Sequence, residues 1–529
     1  MSYSNLIPAP VDFTEHAGMF KITGALSAKV CELAVGAKER LFARFSAFFG
    51  KEFAENAENS VVFEYVCDDS IHAEGYKIVA QNGRVTVFAS TKIGFLYSTV
   101  TLEQLISFET IANAKEITVD NFEISDYPRY QWRGFMLDES RHFFGMDEVL
   151  SLLDKMHMLK LNKFHWHLSN DQGFRVESKL FPRLNEISST RSDTQIGGWH
   201  SNNLRGLEHK GIYSHEQIQK IVAYAGELGI DVIPELSVPG HASAIIAAYN
   251  ELSCTGEIAP VPHTFGRKNL VFCAGSELTN QFLQAILEEW AQLFSSKYFH
   301  LGGNHARTEA WKACEKCTEL MQEHGLADIR ELEAFFLNGL AEHLIALGKT
   351  PILRSDTLSE KSNPLILGDY YLKLKNENFI NFLSRGGKYF SARHKAYYLD
   401  HPYSLTSLQL SYNYTPDTDD MQIETGAHLK GVEGVLFTEW IYDSEKIEFS
   451  IFPRLIAIAE TAWSQNHKRN YKDFIDRLAH FNRILKAKNI SYARLDIAES
   501  KNPFKRLKNL TTWVLFDQYA EVRENRGNN

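Results

Sequence analysis

The sequence predicts an α/β chain: a (β/α)8 TIM barrel preceded by a small α+β domain. Three observations predict it. From about residue 128 onward, short apolar runs alternate with polar loops and amphipathic helical stretches. Polar and charged residues fall just after each apolar run, where a barrel gathers its site from successive strand ends. No Gly-x-Gly-x-x-Gly opens a helix after the first run, which argues against a dinucleotide-binding sheet.

At 529 residues the chain exceeds one ordinary core. Three parts are expected: an N-terminal α+β domain over 1–125, the barrel over 126–465 and a helical extension over 466–529. The net charge of −10 comes with no basic stripe, which excludes nucleic acid as a partner. No apolar run reaches the roughly 20 residues of a membrane helix, so no membrane partner is expected. The opening Met1-Ser2-Tyr3-Ser4-Asn5 lacks a basic segment followed by an apolar one. A cytoplasmic location is therefore expected, unless the chain is a trimmed piece.

In the first part, 74–79 and 84–89 read as strands split by Gln81-Asn82-Gly83, a hairpin signal. A helix is expected over 91–105. No cluster of acids or histidines occurs there, so no chemistry is assigned to it. The barrel strands are expected at 133–138, 162–168, 229–235, 298–303, 350–353, 395–400 and 431–437, with a helix over 148–159 after the first. The last stretch is helical with mixed charge, and its final residues are polar.

Six cysteines are too few for a disulfide framework. Cys314 and Cys317 lie in a helical, charged stretch with no second Cys-x-x-Cys after them. They read as two helical cysteines one turn apart, while Cys254 and Cys273 would pair across a loop only in an exported protein.

The strand ends offer Arg133, Asp138, Arg141, His142, His165, His167, Asn170, Asp171, Glu235, His241, Asn304, His305, Asp356, Tyr398, Asp400 and Glu439. Carboxylates and fixed donors dominate this set. There is no nucleophile elbow and no phosphate loop. Acid/base chemistry on a hydroxylated substrate fits best, because carboxylates and guanidinium groups hydrogen-bond pairs of sugar hydroxyls.

Several blocks carry a resemblance. They are Arg133-Gly134-Phe135-Met136-Leu137-Asp138-Glu139-Ser140-Arg141-His142-Phe143-Phe144, His165-Trp166-His167-Leu168-Ser169-Asn170-Asp171 and Pro234-Glu235-Leu236-Ser237-Val238-Pro239-Gly240-His241. With Tyr398-Leu399-Asp400 and Thr438-Glu439-Trp440, they resemble the glycoside hydrolase family 20 β-N-acetylhexosaminidases, in that family's order and spacing.

The resemblance implies an exo-acting hydrolase on a terminal N-acetylglucosamine or N-acetylgalactosamine, with a carbohydrate as partner and neither cofactor nor metal. It implies that Arg133 binds the far sugar hydroxyls, with Asp400 and Glu439 as further acceptors. Tyr398 donates to the acetamido carbonyl, and Asp171 and His241 form the supporting polar network. The family uses the substrate's own acetamido oxygen as nucleophile, helped by an Asp-Glu pair after Gly-Gly. Here Gly302-Gly303 is followed by Asn304-His305, which are the expected catalytic positions of this chain. Asn304 retains an acceptor for the amide N–H but brings no charge, and His305 brings an imidazole, whose ordinary pKa of about 6.5 suits a general acid near neutral pH.

Arg354 and Phe437 stand where the family usually has indoles. Arg354 is either a salt-bridged cation or a partner for an anionic substituent. Two other readings stay open: a sugar-binding relative without hydrolysis, and a metal-assisted hydrolase using His165, His167, His241, His305 and Asp171.

Overall fold

A computed structural model describes residues 5–22, 26–50, 61–106, 116–266, 268–303, 306–371, 376–416, 428–515 and 520–526. The chain divides into two compact units. The first comprises Met1–Arg133, Lys155–Leu161 and Ile456–Tyr492; the second comprises Gly134–Asp154, Asn162–Leu455 and Ala493–Asn529. The stretch after residue 466 is thus shared between the units and does not form a body of its own.

The first unit holds a six-stranded sheet of β1 (Asp12–Ile22), β2 (Leu26–Lys29), β3 (Val61–Cys67), β4 (Tyr76–Gln81), β5 (Arg84–Ala89) and β6 (Ile117–Asp126). Its spatial order is β1-β6-β4-β5-β3-β2. The β4–β5 hairpin turns at Asn82 (φ 50°) and Gly83 (φ 77°), the paired left-handed residues that match the twist of adjoining strands. Alternating side chains of β3, β4 and β5 are buried, as a sheet with one covered face requires. Helices α1 (Val35–Phe49) and α2 (Lys92–Ile106) supply Leu41, Phe45 and Phe95 to the same core.

The second unit is the barrel. Its strands are β7 (Trp132–Asp138), β8 (Lys163–Asn170), β9 (Asp231–Val238), β10 (Tyr298–Gly302), β11 (Thr350–Arg354), β12 (Leu367–Tyr370), β13 (Lys388–Ser391) and β14 (Leu429–Leu436). Each pairs with the next, and β14 returns to β7, which closes eight strands. Intervening helices include α3 (Met146–Met158), α4 (His215–Glu227), α5 (Glu277–Leu293), α6 (Glu315–Glu323), α7 (Ile329–Ala346) and α8 (Glu377–Ser384). The expected (β/α)8 barrel is present. Among the described residues no helix is long and apolar enough to cross a membrane.

One expected strand is corrected. Residues 395–400 do not form a ladder: His394–Tyr397 is a short helix, and Tyr398 makes only an isolated parallel bridge to Val435. The barrel positions are taken by β12 and β13, four residues each, too short for their alternation to stand out from flanking apolar sequence.

Candidate active site

The strand ends bring a compact group of charges together. Asp138, last in β7, is fully buried. One of its oxygens accepts from the Ser140 backbone at 3.0 Å and hydroxyl at 2.6 Å, and the other accepts from Arg141 Nη1 at 2.7 Å. Burial works against its charge, but Arg141, His167 and these hydrogen bonds outweigh it and hold the carboxyl well below the usual range. Arg141 is thereby aimed at Glu439, its Nε 3.4 Å from that carboxylate, with its guanidinium 5.1 Å from the Phe437 ring centroid.

Asp400 completes the acidic side. Burial, and then the neighbouring Glu439, push its pKa up to about 8, and burial also raises Glu439. Asp400 Oδ1 is buried with no hydrogen-bond partner among the described residues. Tyr398, two residues before, is buried, its ring 5.5 Å from Phe437.

A second group lies at the ends of β8 and β9. Asp171 accepts from the Ser243 hydroxyl at 2.5 Å and backbone at 3.2 Å, and pairs with His241 Nδ1 at 2.8 Å. His241 has φ 55° in the turn after Val238. Asn170 holds the Asp171 backbone N–H at 2.7 Å through its own side chain.

At the end of β10, Gly302 (φ 71°) and Gly303 (φ 96°) take the left-handed backbone that only glycine adopts at ease. Space repeats the demand, since a Cβ at Gly302 would lie 3.1 Å from the Ser237 Cα. Asn304 and His305 follow this turn and lie outside the described residues.

Beneath the strand ends the barrel interior is ionic. His165 reaches Glu433 through Nδ1 and Glu235 through Nε2, both at 2.8 Å, and stacks on His300 at 4.5 Å. Burial opposes a charged His165, but Glu433 and Glu235 prevail and raise its pKa to about 9. For His167 burial prevails and lowers it to about 4. Arg354 ion-pairs with Asp369 and, at 3.2 Å, with Glu235, so it is a salt-bridged interior cation and not a free anion receptor. Donors of His165, Glu235 and His300 converge closely enough for a metal, yet Arg354 and Glu433 already satisfy this cluster. Of the wider ligand set weighed from sequence, His305 lies outside the described residues; among the described ones His167 bonds the Ser237 hydroxyl at 3.0 Å, and His241 pairs with Asp171 apart from it.

Arg133 corrects the expectation placed on it. It stands at the start of β7 in the first unit, 1% exposed. Its guanidinium donates to Glu74 at 2.6 Å and 3.2 Å, to the Tyr97 hydroxyl and to two backbone carbonyls, so its donors are spent inside that unit. Arg141, past the end of the same strand, is the guanidinium beside Asp400 and Glu439. The signal was available: a barrel site collects residues after a strand, never from its start. Asp356 is exposed and accepts from the Tyr371 hydroxyl at 2.7 Å. Sequence reasoning also passed over an aromatic wall, in which Trp199 and Phe265 pack edge-on against Trp440, next to Glu439, at 5.4 Å and 5.0 Å.

Comparison with known proteins bears directly on this arrangement. The family model described as glycosyl hydrolase family 20, catalytic domain, matches residues 130–466, and its domain 2 matches residues 3–127. The chain belongs to glycosyl hydrolase family 20.

Among family 20 relatives, a β-hexosaminidase of Porphyromonas gingivalis is 31% identical over 503 residues, covering 90% of this chain. This chain spans 62% of that relative's length. An exo β-N-acetylglucosaminidase of Vibrio harveyi, solved with N-acetylglucosamine, superposes with a TM-score of 0.82 at 25% identity, over 93% of this chain and 78% of that one. A β-N-acetylhexosaminidase of Bacteroides fragilis gives 0.77 at 26% identity, over 92% and 96% of the two chains.

Proposed function

We propose that this family 20 chain is an exo-acting β-N-acetylhexosaminidase-like hydrolase on terminal GlcNAc, GalNAc or a modified hexosamine. One observation carries the reading: the buried, unpartnered Asp400 Oδ1 beside Glu439 and Arg141. Two carboxylates and a fixed guanidinium suit adjacent sugar hydroxyls, which donate to the first and accept from the second. The relatives' names, which are those of hexosaminidases, support the same substrate class.

In this mechanism the acetamido oxygen of the substrate attacks C1 and the bond from C1 to the leaving oxygen breaks. Tyr398 donates to the acetamido group and Asn304 accepts its N–H. His305 passes a proton to the leaving oxygen, and water then opens the oxazolinium at C1. Without a carboxylate at position 304 the developing positive charge is less well neutralised, so a slow enzyme is expected.

The replacement of the acid pair by Asn304-His305 also favours a second reading, a sugar-binding relative without hydrolysis. Aryl N-acetylglucosaminide and N-acetylgalactosaminide hydrolysis by this chain and by His305→Ala separates them. A drop of about 10²–10⁴-fold in the variant is expected. Equal background rates, with a thiazoline mimic of the oxazolinium still bound, would instead leave only the binder.

A further inference from the structure

Four cysteines far apart in the sequence meet at one point of the barrel unit. Cys254 follows the short turn Asn250–Leu252, and Cys273 lies on the segment facing it. An antiparallel bridge between Ser253 and Phe272 joins the two segments, and the Cys273 N–H donates to the Leu252 carbonyl at 2.8 Å. Cys314 immediately precedes α6, and Cys317 sits in its first turn. They are therefore more than two cysteines one helical turn apart.

The sulfurs lie 3.8 Å apart for Cys254 and Cys317, and 3.7 Å from Cys273 to each of Cys314 and Cys317. All four fall within 4.8 Å of one another. Disulfide sulfurs would be about 2.05 Å apart. Ligands of a tetrahedral zinc with metal–sulfur bonds near 2.3 Å stand about 3.8 Å apart, which these separations reproduce.

We propose that Cys254, Cys273, Cys314 and Cys317 form a closed tetrathiolate site for one Zn²⁺. Four soft thiolates in tetrahedral array select zinc over the hard divalent ions. Binding exchanges four thiol protons for four zinc–sulfur bonds, with the protons released to water and no change of oxidation state.

The backbones are fitted to this meeting. A Cβ at Gly275 would lie 2.1 Å from the Lys316 carbonyl oxygen, so only glycine lets the Cys273 segment rest on the first turn of α6. Trp311 Nε1 adds a hydrogen bond to the Phe272 carbonyl at 2.8 Å. With four protein ligands no position is open to substrate, so the ion is structural. It clips the loop after β9, which carries His241, to the segment after β10. Near the strand ends those loops also touch, since a Cβ at Gly240 would lie 2.9 Å from the Ala306 Cα.

The full chain, purified under reducing conditions without chelator, is expected to carry one zinc by elemental analysis. Replacement by Co²⁺ is expected to give the visible and sulfur-to-cobalt absorption of a tetrahedral tetrathiolate. Cys273→Ser and Cys317→Ser should lose the metal, whereas Cys31→Ser and Cys67→Ser keep it. Stripping zinc from the wild-type chain should lower its thermal midpoint, a readout that needs no substrate. Should the serine variants fail to fold, the cobalt spectrum of the wild-type chain decides. A metal-free chain that gives no cobalt spectrum on loading overturns the proposal, as do these four cysteines recovered as two disulfides.

Discussion

Arg133 and Arg141 differ by eight positions and by everything that decides a role. Arg133 spends its donors on Glu74, Tyr97 and carbonyl groups in the first unit, while Arg141 bridges Asp138 to Glu439. Arg133→Met is therefore expected to cost about 3 kcal/mol of stability, because it strips a buried ion pair and its hydrogen bonds. Sugar affinity of the folded protein should stay unchanged. Arg141→Met should weaken N-acetylglucosamine binding by roughly ten- to a hundredfold, the worth of a charge-assisted hydrogen bond. Calorimetric titration beside urea unfolding checks both. Sequence showed Arg141 among the strand-end residues, but family resemblance pointed to Arg133, because both lie in one block and the block alone does not say where the strand stops.

Among the elements, the β10 turn ties backbone to site most directly. Gly302→Ala places a methyl against the Ser237 Cα in a left-handed conformation. It should cost about 1–2 kcal/mol and weaken sugar binding by displacing the residues that follow. Gly226, exposed in α4 with nothing near its missing Cβ, is the control. Gly226→Ala should stabilise by about 0.5–1 kcal/mol, since alanine loses less entropy in a helix. Thermal unfolding of the two variants side by side is the check. Elements with long periodic patterns, such as α3 and the β4–β5 hairpin, were legible because their signals are local. Strands β12 and β13 were not, because four residues do not separate a strand from a buried loop.

Across the whole barrel, stability rests partly on the interior network of His165, Glu235, His300, Arg354, Asp369 and Glu433. Sequence placed His165 and Glu235 among the strand-end residues; which charges neutralise one another depends on closure of the barrel. The pKa of His165 is raised to about 9 in the folded chain, against about 6.5 unfolded. The folded state therefore holds the proton more tightly. Its contribution is complete below about pH 6.5 and is lost as pH rises through about 9. The thermal midpoint should fall across that window. In Glu433→Gln, with one attracting carboxylate gone, the folded pKa should drop, so the fall should be smaller and end at lower pH. Thermal melts from pH 6 to 10 test this, and identical profiles for the two proteins would sink the assignment.

The sequence by itself determined the alternation that makes a barrel, the Asn82-Gly83 turn, the family blocks and the Asn304-His305 dipeptide after Gly302-Gly303. All of these are written in neighbouring residues or fixed spacings. Only the tertiary structure decided which arginine stands beside Asp400, that Arg354 is already neutralised, and that Cys254 meets Cys317 across 63 positions of sequence. The physical reason is common to the three: each is a convergence of side chains from different strands or loops. Periodicity along a chain reports the face a residue takes, whereas closure of the barrel chooses its partners.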